Sequence, residues 1–452
     1  MRFATSLLSR FLLVTLLLML LPNPGFSQEK VRVYSLQESI DEALANNWSL
    51  KANKEKVDQA LQVKKQARAG FLPRLSVTYG YTRMNEVKKA PATVMEFPPP
   101  IGTVVIPRSE LNSLNNYKLV GTITQPLFTG FALTSSYELS KLGIDQSEMN
   151  VALEKLNLAL RVKQAYFDIL IADKGIEVAK SDVEFRESNL NVARSFYNVG
   201  MVPINDVLRA EVELASAQQN LVTARNTARL TRCNFNTVLS RPIHASVDVK
   251  DILAFKPEKE DYDEYVGQAI ENRPEMKLIN INILQVGQEA RLVKSKYYPE
   301  VAFQYDYIKA GDTPDVSGSP FVDADKWQAT AVLSWTFWEW GKTHYAVKEK
   351  ESLQRELMKT KLALEDSIRL ELKDAILRLE NAEENIPTTQ KAIKQGEENL
   401  RVNEERYKAQ VTTITEVLDA QTLLTRARVN FYSALYNHHL ARASLERALG
   451  KY

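Results

Sequence analysis

Two constant self-alignment offsets constrain this chain more than any single motif does. Ala43-Leu44-Ala45-Asn46 matches Ala269-Ile270-Glu271-Asn272, 226 positions later, and Phe71-Leu72-Pro73 falls on Tyr297-Tyr298-Pro299 at the same offset. Further on the offset becomes 210: Leu190, Val192, Tyr197, Ile204, Val207, Leu208 and Ala210 fall on Leu400, Val402, Tyr407, Ile414, Val417, Leu418 and Ala420. Asp206 falls on Glu416 in that register. Chance does not hold two offsets at such distant points, so the sequence reads as duplicated, with repeats at 28–250 and 251–452. The change of offset places an insertion in the first repeat, between Pro73 and Leu190. Composition picks Ala90 to Arg108, which carries Pro91, Pro98, Pro99, Pro100 and Pro107 and reads as an exposed loop.

Residues 1–27 read as a signal peptide, with Arg2 and Arg10, a near-apolar run from Phe11 to Leu21, and small residues at Gly25-Phe26-Ser27. The run falls short of the roughly 20 apolar residues that span a bilayer as a helix. Cleavage is expected near Ser27-Gln28, with export from the cytoplasm. Past that point no stretch approaches a transmembrane helix, so residence in a membrane would require β-strands. Without Arg2 and Arg10 the chain holds 56 basic and 56 acidic residues. Such a balance argues against nucleic acid as a partner. Cys233 is the single cysteine, which excludes an intramolecular disulfide.

From Phe131 to Gly200 there is no proline, and 70 residues of helix would reach about 100 Å. The second repeat runs similarly from Gly341 to about Gln410, where Pro387 predicts a kink or a restart capped by Asn385. The return helices begin near Ile204 and Ile414. In the second of them Val417, Ala420, Leu424, Ala427, Phe431, Ala434, His438, Ala441, Leu445 and Ala448 alternate steps of three and four, the coiled-coil period. A weaker seam follows Leu418, Thr422, Thr425, Val429, Tyr432 and Tyr436. Two seams predict two neighbours, as in a ring of helices; a solvated hairpin with one partner is the plainer alternative.

Four segments alternate strictly, near 74–83, 117–128, 300–308 and 327–338. Leu75, Val77, Tyr79 and Tyr81 oppose Ser76, Thr78, Gly80 and Thr82, while Trp327, Ala329, Ala331, Leu333, Trp335 and Phe337 oppose Gln328, Thr330, Ser334 and Thr336. About ten residues is the length with which a tilted strand crosses a bilayer. Apolar-out, polar-in alternation suits an outer-membrane barrel wall, although a half-buried sheet alternates too. Four strands cannot close a barrel, since open edges are forbidden in lipid, so several chains must share one.

The order helix–strand–strand–long helix–short helix, met twice, resembles the TolC family of outer-membrane efflux proteins. The residues that carry the resemblance are Phe71-Leu72-Pro73, Gln125-Pro126-Leu127-Phe128-Thr129-Gly130, Tyr197 with Gly200, Asp206-Val207-Leu208, Arg406-Tyr407, and Glu416-Val417-Leu418-Asp419-Ala420. The resemblance implies a mainly α chain with membrane β-strands. It implies a homotrimer with one twelve-stranded barrel in the outer membrane of a Gram-negative bacterium and a helical tunnel across the periplasm. It implies a passive duct for tripartite efflux or type I secretion, served by an inner-membrane pump through a periplasmic adaptor. No cofactor is implied, and the sequence has no phosphate-binding glycine loop.

In the family the helix tips narrow the entrance and carry acidic residues. By position these are Glu416 and Asp419 here, with Tyr407 and Thr412 beside them and Asp206 and Arg209 in the equivalent places of the first repeat. Where the family has a basic gate residue this chain has Thr412, and the usual second-tip glycine is Gln410. An ion pair of Arg209 with Asp419 or Glu416 between neighbouring tips would close the entrance weakly, at about 0–1 kcal/mol. Thr413-x-x-Glu416 is also a capping-box pattern, so Glu416 has an ordinary reading, and Asp419 is the better gate residue. The first tip, with Asn198, Val199, Gly200 and Met201, is the expected adaptor-docking surface. A periplasmic adaptor is the rival reading, but it would carry one hairpin between β-rich domains. An enzyme is not expected: His244, His344, His438 and His439 lack metal-ligand spacing.

Overall fold

The computed structural model describes residues 32–255 and 261–452, so the expected signal peptide lies outside the described residues. The chain divides into two compact units, each drawing on both halves of the sequence. One gathers Ser49–Glu154 and Glu264–Glu371; the other gathers the residues up to Trp48, Lys155–Asp263 and Leu372–Tyr452.

The elements follow in the order β1 (Arg32–Tyr34), α1 (Leu36–Asn46), α2 (Trp48–Ala69), β2 (Arg74–Arg83), β3 (Thr93–Glu96), β4 (Thr103–Ile106) and β5 (Asn115–Thr129). Next come α3 (Ala132–Asn198), α4 (Ile204–Val238), β6 (Val247–Val249), α5 (Tyr262–Asn272) and α6 (Pro274–Lys294). A 3-10 turn at Ser295–Tyr297 leads into β7 (Glu300–Gly311), β8 (Asp325–Ser334), α7 (Lys342–Lys408) and α8 (Ile414–Ala448). The helices α3 and α7 each run 67 residues, and α4 and α8 each run 35.

The first unit is built on an antiparallel sheet of order β2-β5-β7-β8. Strand alternation sorts its residues by chemistry. On one face Leu75, Val77, Tyr79, Tyr81, Trp327 and Leu333 are all exposed, in a band of large apolar side chains. On the other, Asp306 is buried and accepts hydrogen bonds from Thr122 Oγ1 at 2.7 Å and Gln328 Nε2 at 2.8 Å. Every residue of the two outer strands, β2 and β8, is exposed. Among the described residues each of these strands pairs on one side only. The ladder between β5 and β7 slips between Pro126 and Phe128, leaving Leu127 as a bulge where proline has no N–H to offer.

Three expectations change here. The Ala90–Arg108 segment is not a bare loop: β3 and β4 pair within it, because the runs Thr93–Glu96 and Thr103–Ile106 flank a proline turn. The last strand stops at Ser334 rather than reaching residue 338. Its partner β7 begins at Glu300, just after Pro299, so among the described residues no strand backbone pairs with Trp335 or Phe337. The helix α7 passes through Pro387 without a break. Asn385 does not cap a restart; its Nδ2 donates back to the Asn381 carbonyl at 2.8 Å. Thr388 and Thr389 hydroxyls donate to the Glu384 and Asn385 carbonyls at 3.1 and 2.8 Å, and Ile386 is buried, so side chains hold the turn that the proline weakens.

In the second unit the return helices bury the seam: Val417, Ala420, Leu424, Ala434, His438, Ala441, Leu445 and Ala448 on α8 are all buried. On α4 Val207, Ala210, Ala217, Leu221, Ala228 and Phe235 are buried. Of the weaker seam only Leu418 is buried; Thr422 and Val429 are exposed. The short parallel pair β1 and β6, which alternation in the sequence does not reveal, is fixed by Tyr166. Its hydroxyl donates to the carbonyls of Tyr34 at 3.2 Å and Lys250 at 2.7 Å. Burial pushes that hydroxyl's pKa up to about 12, so it stays a donor. Among the described residues no helix is long and apolar enough to cross a membrane.

Candidate functional site

The two helix tips, both in the second unit, are closed by the same bonds. At the first, Met201 N–H donates to the Phe196 carbonyl and Gly200 N–H to the Tyr197 carbonyl, both at 2.9 Å. At the second, Val411 N–H donates to Arg406 at 2.9 Å and Gln410 N–H to Tyr407 at 3.0 Å. This is the Schellman closure, which needs one residue in the left-handed region. Gly200 supplies it at φ +76°; Gln410 takes it at φ +61°, with a Cβ that disfavours it. The left-handed strain is roughly 1–2 kcal/mol, offset by about 0.5–1 kcal/mol of extra backbone entropy for glycine. Gln410→Gly is therefore expected to stabilise the second tip by about 0.5–1 kcal/mol, read as slower amide exchange at residues 409–412. Unchanged exchange would show that the tip opens without straightening Gln410.

Tyr407 joins the tips. Its ring is buried among Leu400, Ile414, Val417 and Leu418, and lies 5.6 Å from the ring of Phe196 on α3. Its hydroxyl is buried and has no hydrogen-bond partner among the described residues. Burial raises the hydroxyl's pKa above the ordinary phenol value, and the charge of Asp206 adds to that. The chain thus brings Tyr407 and Asp206 into one neighbourhood.

The acidic pair is placed differently. Glu416 and Asp419 on α8 are exposed, as is Arg209 on α4, while Thr412 is half-buried. Among the described residues, none of Glu416, Asp419 and Arg209 forms an ion pair within the chain. The capping box at Thr413 does not form: its side chain makes no cap bond, and Glu416 N–H donates to the Thr413 carbonyl at 3.2 Å. Thr413 thus caps through its backbone alone, which leaves the Glu416 carboxylate in solvent. At the first tip Asn198, Val199, Gly200 and Met201 are all exposed, Val199 and Met201 by more than half.

A buried ionic cluster behind the tips has no counterpart in the sequence reading. Arg186 and Asp182 on α3 are both buried. Arg186 Nε donates to Asp182 at 3.0 Å, Nη1 to Glu213 of α4 at 2.5 Å, and Nη2 to Thr422 of α8 at 3.3 Å. Gln421 Nε2 and Thr425 Oγ1 of α8 donate to the other Asp182 oxygen at 2.9 and 3.2 Å. Three helices therefore meet on one guanidinium and one carboxylate. The i,i+4 spacing of Asp182 and Arg186 was the available signal, but it is commonplace on solvated faces.

Strands with an exposed apolar face, and long helical hairpins with carboxylates exposed at one tip, define a class: outer-membrane channel subunits. The chain belongs to the outer membrane efflux protein family, whose profile matches residues 39–237 and 265–451. It is 21% identical over 440 residues to outer membrane protein TolC of Escherichia coli K12, covering 94% of this chain and 84% of that one. The fold is similar to the CmeC outer membrane channel of Campylobacter jejuni, with a TM-score of 0.75 at 16% identity over 92% of this chain and 85% of that one. It is similar as well to the open state of the MtrE outer membrane channel of Neisseria gonorrhoeae, with a TM-score of 0.72 at 20% identity over 92% and 89% of the two chains. The protein is accordingly an outer-membrane efflux channel component of a Gram-negative bacterium.

Proposed function

We propose that three copies of this chain form one exit duct, sharing a single barrel in the outer membrane and a helical tunnel in the periplasm. The observation that carries the reading is the open sheet: four strands with an apolar, exposed face and two unpaired edges, β2 and β8. Lipid cannot satisfy those edges, so β2 of one copy pairs with β8 of the next. Three copies of four strands make twelve. Most of the second seam of α8 is taken up by α3 of the same chain, through Thr422 with Arg186, Thr425 with Asp182 and Tyr436 with Asp168, which leaves Val429 as the exposed apolar position that a neighbouring copy would cover.

The matched helix lengths, 67 with 67 and 35 with 35, support descent from one duplicated unit, with repeats at 28–250 and 251–452. The duct is passive, and energy comes from an inner-membrane pump reached through a periplasmic adaptor. The exposed Val199 and Met201 at the first tip offer that adaptor an apolar handle, with Asn198 and Gly200 shaping the turn. The Tyr407 ring, set against Phe196, ties the two tips within a chain, with the charge of Asp206 nearby. Glu416 and Asp419 of three chains place six carboxylates round the entrance, with Arg209 and Thr412 at their margin.

Such a ring favours cations by charge. Single-channel recording in planar bilayers tests it, with wild type beside Glu416→Ala/Asp419→Ala. The wild type is expected to be cation-selective, and the double variant to lose most of that preference, its permeability ratio falling several-fold toward one. Equal selectivity in the two proteins would remove the acidic ring from the account and leave the duct.

A further inference from the structure

The hairpin between β2 and β5 does not end where the sheet does. Past the last ladder pair, Arg83 with Asn115, Met84 N–H donates to the Leu114 carbonyl at 2.7 Å and Leu111 N–H to Lys88 at 2.8 Å. Ala90 N–H donates to Ser109 at 2.8 Å, and β3 and β4 then pair from Thr93 with Ile106 to Glu96 with Thr103. The result is an arm prolonging the β2–β5 pair at the end of the sheet away from α2 and α3. In the proposed barrel that end is the outer mouth. The loop joining β7 to β8 behaves differently, folding back so that Gly318 N–H donates to Ala310 at 3.0 Å.

The arm is apolar on both faces, and neither face is covered. Register puts Val94 with Val105 on one face, 59% and 60% exposed. It puts Met95 with Val104 on the other, 43% and 41% exposed, and Ile101 at the tip is 66% exposed. A two-stranded ribbon is marginally stable by itself, and every residue of β3 and β4 is exposed. Its charges do not favour an anionic surface, since Lys88, Lys89 and Arg108 are matched by Glu86, Glu96 and Glu110. A lipid surface or a single foreign partner would cover one face and leave the other in water. A ring of identical copies covers both, because each copy in a cyclic assembly meets its two neighbours through two different surfaces. The arm also rises from β2, the edge strand at which the next copy joins.

We propose that the three arms pack face to opposite face into an apolar collar above the barrel mouth, the partner of each arm being the arm of the next copy. The inference rests on the trimeric reading above. Val94→Cys/Met95→Cys places one thiol on each face; the parent, whose one thiol is Cys233, and the two single variants are controls. Intact cells are treated with a short bis-maleimide and the protein is resolved on denaturing gels, while its native mass is read separately. The double variant is expected to give covalent dimers and closed covalent trimers, and the single variants far less of either. Monomers alone, from a double variant whose native mass is that of three chains, overturn the collar and leave the channel. A native mass other than three chains overturns the trimeric reading with it.

Discussion

Gly130→Ala is expected to destabilise the strand-bearing unit by about 2–5 kcal/mol, the sum of overpacking at about 1–3 kcal/mol and left-handed strain at about 1–2 kcal/mol. Gly130 turns the chain from β5 into α3 at φ +58°. A Cβ there would collide with the Ser295 carbonyl oxygen and approach Tyr298 Cβ to 3.0 Å. Neither can withdraw cheaply. The Ser295 carbonyl already accepts from Tyr298 N–H at 3.0 Å, and the Tyr298 ring packs edge-on against Phe131 at 5.7 Å and Phe128 at 6.5 Å. Gly341→Ala is the comparison. It shares the left-handed strain at φ +81°, but its Cβ meets only the far end of the Tyr345 side chain at 3.1 Å, which can rotate away. Melting of the purified variants, followed by circular dichroism, should therefore rank Gly130→Ala well below Gly341→Ala. Equal melting temperatures would mean that the 3-10 turn at Ser295–Tyr297 yields more readily than its bonds imply.

Arg186→Leu is expected to cost about 3–5 kcal/mol in the helical unit, because removing one member of a buried ion pair strands the others. Asp182 would keep Gln421 and Thr425 as donors but lose its countercharge, and Glu213 would lose the 2.5 Å contact. The loss should be smaller when the cluster is neutralised together. Asp182→Asn/Arg186→Leu/Glu213→Gln should recover much of the stability, since a buried pair replaced whole by apolar or neutral groups is often close to neutral. Thermal melting of the single and triple variants checks this. A triple variant as unstable as the single one would assign the loss to packing around the guanidinium instead of charge.

The sequence made the helices readable for a physical reason. The spacing of Val417, Ala420, Leu424, Ala434 and Ala441 leaves one face of a helix apolar, and those residues are buried. Strand alternation was readable on the same ground, since Leu75, Val77, Tyr79 and Tyr81 can share a face only in an extended chain. What local rules missed depends on partners far along the chain. Pro387 predicts a kink or a restart, but α7 does not restart there, because the packing of Ile386 and the threonine hydroxyls beyond it hold the turn. Trp335 and Phe337 continue the alternation, yet β7 has no residue left to pair with them. Prolines concealed the arm because they bracket β3 and β4 without interrupting either.

The tips were legible as sequence positions and not as contacts. That Tyr407 meets Phe196, and that Glu416 is free of its capping role, follow from the tertiary arrangement of the tips and from which donors the backbone satisfies. Arg186 is not legible in the sequence, because its i,i+4 partner Asp182 looks like any surface pair. Only the register of α8, which sets Gln421, Thr422 and Thr425 against it, makes the site buried.

The central claim is that several chains share one barrel, and native mass spectrometry of the detergent-extracted protein tests it most directly. The account predicts a single species of three mature chains that resists dilution. A monomer that stays folded in detergent would contradict it, because its two open strand edges would then have found another cover.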